Sequence, residues 1–87
     1  MRTRIEYESN EDYDHHYVGL TVTSTESEKD FYLFVAFAQR YNFSVSGCPA
    51  EFENEYYDSF SMDKYMSKKD FMQEFRACVK EWKQSIK

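Results

Sequence analysis

Polar and apolar residues alternate through "RTRIEYE", residues 2 to 8: Thr3, Ile5 and Tyr7 share one side, and Arg2, Arg4, Glu6 and Glu8 share the other. A period of two is that of a half-buried β-strand. "SNEDYDHH", residues 9 to 16, breaks the alternation and reads as a polar, solvated connection. "YVGLTVTS" resumes it with Val18, Leu20 and Val22 on one face. Two such runs pair most simply as an antiparallel hairpin.

The apolar run "FYLFVAFA" within "TSTESEKDFYLFVAFAQRY" fits a buried strand by hydrophobicity alone. Its flanks favour a helix over residues 26 to 41. Thr25 with Glu28 three positions on has capping-box spacing, and Glu26, Glu28 and Asp30 suit the positive end of the helix dipole. Phe31, Phe34, Phe37, Ala38 and Tyr41 form the expected inner face, while Tyr32, Leu33 and Val35 widen it toward a second covered side or a dimer contact.

"FSVSG" is a short alternating segment and "GCP" a turn; "AEFENEYYDSF" follows, read as a strand over residues 50 to 58 that pairs with the preceding one. "SMDKYM" then connects to the last element. From Ser67 the period changes, with Phe71, Phe75, Cys78, Val79, Trp82 and Ile86 at helical spacing behind Ser67 as N-cap. The order ββαββα favours an α+β domain over residues 1 to 87: a four-stranded antiparallel sheet with both helices packed on one face. One sheet face is then left open.

Charge changes the picture more than composition does. The chain of 87 residues carries a net charge of −5, yet residues 5 to 63 hold thirteen acids against Lys29 and Arg40, and residues 64 to 87 hold seven bases against three acids. An acidic field of that density repels nucleic acid and anionic membranes and attracts basic partners. "MRTRIEYES" contains no leader-like apolar run and nothing in the chain reaches bilayer length, so the expected location is the cytoplasm. In that compartment Cys48 and Cys78 are expected as free thiols, with a disulfide as the alternative.

Candidate chemistry is sparse. Asp12, Asp14, His15 and His16 are metal-binding types, but their spacing fits neither an EF-hand nor a helical zinc motif, and adjacent histidines on a strand point apart. Replacing both histidines with Ala is expected to be silent. No glycine-flanked nucleophile or phosphate-cradling loop frames the two glycines, so neither catalysis nor a cofactor is expected. Lys68, Lys69, Arg76, Lys80, Lys83 and Lys87 fall on the polar side of the last helix, as on many solvated helices, and direct nucleic-acid binding is not expected.

What remains is an acidic row. On an extended strand Glu51, Glu53 and Glu55 face the same way as Tyr57, with roughly 6.6 to 6.8 Å between successive acids. One DNA strand presents a phosphate every ~3.4 Å, so imitation of DNA needs a second row, which Glu6 and Glu8, or Asp12 and Asp14, could supply. Tyr13, Tyr56 and Tyr57 offer rigid contact area beside these acids and Asp58. The plainer alternative is a solvated sheet face.

In size, acidity and its acid-plus-tyrosine surface the chain resembles, in general character, phage-encoded inhibitors of bacterial defence such as anti-CRISPR and anti-restriction proteins, and also immunity proteins or antitoxins that neutralise nucleases. The resemblance, closer in character to the phage inhibitors, implies a blocker of a basic nucleic-acid-binding protein; a monomer and a homodimer are both left open. It transfers no residue roles. A self-associating module built on Tyr32, Leu33 and Val35 is the alternative of another class.

Overall fold

The computed structural model of the protein describes residues 1–9, 14–63 and 66–86. At its centre β2 (His15–Thr23) pairs antiparallel with β5 (Glu55–Asp63) at nine positions, from His15 opposite Asp63 to Thr23 opposite Glu55. β1 (Arg2–Tyr7) pairs antiparallel on the other side of β2, with Ile5 opposite Leu20, as the hairpin reading expects.

The remaining edge of β5 is shared by two short strands. β3 (Ser44–Val45) lies against Ser61 and Phe60, and β4 (Ala50–Phe52) lies against Tyr57, Tyr56 and Glu55. The sheet thus has five strands in four lanes. Residues 50 to 58 are not one strand: the chain turns back at Glu53 and Asn54, where Asn54 takes φ 61°. Asparagine tolerates this left-handed conformation better than most residues, and Phe52 then sits directly opposite Glu55. "SMD" continues β5 instead of leaving the sheet.

Both helices cover the face that carries Val18, Leu20, Val22, Tyr56, Phe60 and Met62. In α1 (Ser27–Gln39) Phe31, Phe34, Val35 and Ala38 are buried, whereas Tyr41 is exposed and Phe37 half-buried. The capping box is not formed. Glu26 is the N-cap and makes no side-chain cap bond, while the Ser24 hydroxyl donates to Asp30 at 2.7 Å. The helix ends as Phe43 N–H donates to the Ala38 carbonyl around Asn42, a left-handed C-terminal turn at φ 67°.

α2 (Lys68–Ser85) follows its sequence pattern closely. Ser67 caps it by accepting from Asp70 N–H at 3.1 Å, and Phe71, Met72, Phe75, Cys78, Val79 and Trp82 are buried. Ile86, beyond the helix end, is exposed. Rings join the layers: Phe34 of α1 meets Phe60, Phe75 and Trp82 at centroid distances of 5.2, 5.7 and 5.1 Å. Each such buried ring removes roughly 150 to 250 Å² from water.

Two buried polar side chains tie loops to this core. His16 follows β2 inward, is 2% exposed, and stacks on Phe71 at 4.8 Å. Its Nε2 lies 2.7 Å from the Met66 carbonyl, which can only accept, so Nε2 carries a proton, and in the neutral ring Nδ1 accepts from the Tyr7 hydroxyl at 2.8 Å. One ring therefore joins β1, β2 and the entrance to α2. Asp58, on the same side of β5, accepts from Gly47 N–H at 3.0 Å and Ser59 N–H at 2.7 Å and holds the turn between β3 and β4.

His16 is thus not part of a solvated connection, and its replacement is expected to be felt in stability. His16→Ala strands the Met66 carbonyl and the Tyr7 hydroxyl and opens a cavity, and is expected to lower stability by about 2–4 kcal/mol in urea unfolding. His15→Ala, on the opposite face, is expected to cost under about 1 kcal/mol. Asp58→Ala leaves two N–H groups unpaired and is expected to cost about 1–3 kcal/mol in the same assay.

Candidate protein-binding surface

The fold-back at Asn54 breaks up the acidic row. Glu51 is paired with Tyr56 and so shares the helix-covered side, Glu53 occupies the turn, and Glu55 faces the open side opposite Phe52. Tyr56 and Asp58, expected at the surface, are 3% exposed and belong to the core side. A strand-long ladder of glutamates does not exist. Asp12 and Tyr13 lie outside the described residues; Asp14 is exposed just before β2.

Of the expected site residues, the open face gathers Glu6, Glu8, Glu55 and Tyr57, because β1 and β5 flank β2. Glu8 reaches across β2: Tyr57 donates to one carboxylate oxygen, and the Ser59 hydroxyl donates to the other at 2.6 Å. Gly19 leaves room for this crossing. A Cβ there would come within 2.6 Å of the Glu8 carboxylate and 2.7 Å of the Tyr57 ring. Burial first, then the hydrogen bond to Glu8 and the Glu8 charge, raise the pKa of Tyr57 above its ordinary value.

Arg2 and Arg4 share that face, and Arg4 pairs with Glu6 at 3.4 Å. The open groove between β1 and β4 is therefore of mixed sign, and Glu6, Glu8 and Glu55 do not form an unbroken negative surface.

A more uniform negative surface forms where the sequence did not indicate it. The β4–β5 turn is held against the start of α1 by Ser24 N–H donating to the Asn54 carbonyl at 2.9 Å. This brings Glu51 and Glu53 beside Glu26 and Glu28 around a shallow depression. Among the described residues lining it, Lys29 is the only base, and it is engaged with Glu26 at 3.6 Å. Phe52 stands at its rim with 65% of its surface exposed. Tyr32, half exposed on α1, bonds through its hydroxyl to Tyr56 at 2.8 Å. Glu26 and Glu28 are legible in the sequence as helix-dipole acids; their meeting with the hairpin requires the tertiary fold.

Other expectations fare differently. Val35 is buried, so a self-association face on α1 is reduced to Tyr32 and Leu33. His15 and His16 point to opposite sides of β2, and among the described residues no three metal-ligating side chains converge. Cys48 is exposed and Cys78 is buried, the latter pushed up to about 11 by burial and by Glu81. Among the described residues no helix is long and apolar enough to cross a membrane.

Comparison of the chain with protein-family models, curated proteins and solved structures finds no match.

The Glu8 crossing gives a titration test. Glu8→Ala removes both the acceptor and its charge, so the Tyr57 pKa should fall toward 10.0, as followed by NMR of labelled tyrosine. Because the folded-state pKa is raised, the stability linked to Tyr57 is present below about pH 10 and is lost as pH climbs above it. Glu8→Ala should reduce that alkaline loss.

Proposed function

We propose that this protein is a small acidic binding protein that docks on the basic nucleic-acid-binding surface of a nuclease or host-defence complex and blocks it. The observation that carries the reading is the convergence of Glu26, Glu28, Glu51 and Glu53 beside exposed Phe52 around one shallow depression. Carboxylates on a fixed scaffold speed encounter with a basic groove, and an aromatic anchor among them slows release. In this reading the contact is the hairpin tip and the start of α1, not the open sheet face, and any imitation of DNA is one of charge without phosphate spacing.

The reading is of a binding protein and not of an enzyme, working in the cytoplasm without a cofactor. An inhibitor of bacterial defence carried by a phage and an immunity protein against a toxin nuclease share this mechanism. They differ in the partner captured.

The test is capture of partners from a bacterial lysate by the tagged protein, followed by displacement of a labelled oligonucleotide from the partner recovered. The expected partner is a basic nucleic-acid-binding protein that releases its oligonucleotide. Its affinity should fall steeply between about 0.05 and 0.5 M salt. Glu51→Lys with Glu53→Lys should weaken it at least about a hundredfold, and Phe52→Ala about tenfold. A partner held equally well by all these variants, or one that keeps its oligonucleotide, would overturn the proposal.

A further inference from the structure

β1 is an edge strand: β2 occupies one side, and among the described residues nothing bonds to its backbone on the other. Glu8 N–H donates to the Tyr17 carbonyl at 2.9 Å, continuing the β1–β2 register. Antiparallel ladders alternate in the direction of their backbone groups. Even-numbered residues of β1 therefore bond to β2, and Thr3, Ile5 and Tyr7 direct their N–H and C=O groups outward. Such an edge is a template for another strand.

The side chains on this edge are self-complementary. About Ile5 the sequence reads Arg2, Arg4, then Glu6, Glu8, a charge pattern that inverts when the strand is turned end for end. We propose that the β1 edge binds a second copy of this chain, related by a two-fold axis through Ile5, to form one continuous ten-stranded sheet. In this register Ile5 pairs with Ile5, Thr3 with Tyr7 and Tyr7 with Thr3 of the second copy, and each pair can exchange two backbone hydrogen bonds. Arg4 stands opposite Glu6 of the second copy, twice by symmetry; Arg2 stands opposite Glu8, whose carboxylate is already turned across β2 to Tyr57 and Ser59, so the pairing rests on Arg4 and Glu6.

The geometry favours this register over its neighbours. Arg4 and Glu6 fall at non-hydrogen-bonded positions, where facing Cα atoms are only about 4.5 Å apart. Within one strand the same two side chains already meet at 3.4 Å across a wider spacing of about 6.6 to 6.8 Å. A slip of two residues one way places Arg4 against Arg4 on the axis, and the other way Glu6 against Glu6. A slip of one residue points the backbone groups away from each other and mismatches the covered face of one copy with the open face of the other. Half-buried Ile5 and Tyr7 extend the helix-covered side across the axis. This surface is separate from the acidic tip at the β4–β5 turn and does not depend on its role.

Sedimentation equilibrium of the whole protein, from about 10 μM to about 1 mM at low salt, tests the proposal. A dimer is expected. Arg4→Glu and Glu6→Arg, each setting two like-charged pairs against each other, should weaken it roughly tenfold, and the double variant Arg4→Glu/Glu6→Arg should restore it. Thr3→Pro removes an outward N–H that the isolated fold does not use, and should leave a folded monomer by circular dichroism. A monomer across the whole range, or a dimer unmoved by the charge reversals and by Thr3→Pro, would overturn it.

Discussion

The pairing of β2 with β5 is the constraint on which the rest of this structure depends. Nine consecutive positions are matched between segments about forty residues apart. Once matched, they decide which side chains face the helices. His16, Val18, Leu20 and Val22 from one strand, and Tyr56, Asp58, Phe60 and Met62 from the other, all fall on the covered side and are buried. Such non-local pairing incurs a large loop-closure entropy before its contacts form. The aromatic layer of Phe31, Phe34, Phe60, Phe75 and Trp82 supplies the burial that offsets it.

The same constraint explains which parts of the sequence were legible. α2 could be read from its Ser67 cap to Trp82 because stripe and cap agree, although Ile86 falls beyond the helix end, and the β1–β2 hairpin because both runs alternate cleanly. The acidic segment could not. "AEFENEYYDSF" keeps a period of two on both sides of Asn54, so the alternation survives a reversal that sends Glu51 to one side of the sheet and Glu55 to the other. The only local sign was Asn54 itself, a residue suited to φ above zero, in a segment with no Gly or Pro to mark a turn.

Capping failed for a related reason. Thr25 and Glu28 have the right spacing, but the helix starts at Ser27 with Glu26 as N-cap, one residue past Thr25, while Ser24 N–H bonds to the Asn54 carbonyl. Asp58 and His16 were polar residues placed on the surface by type. Each lies on the inner side of a central strand, where specific partners satisfy it. Distribution of charge, by contrast, carried over: acids gather at the hairpin tip and the α1 start, while Lys68, Lys69, Arg76 and Lys80 remain exposed on α2. The acidic tip carries exposed Phe52, whereas the β1 edge, with Arg2, Arg4, Glu6 and Glu8, is charge-balanced.

The fold-back at Asn54 underlies both the loss of the glutamate ladder and the formation of the acidic tip. It is open to direct measurement by nuclear Overhauser spectroscopy on the labelled protein. The account predicts cross-strand contacts between the backbones of Phe52 and Glu55 and between those of Ala50 and Tyr57, with Glu51 facing Tyr56. Absence of these contacts, with Glu51, Glu53 and Glu55 instead following one another along a single extended strand, would contradict it.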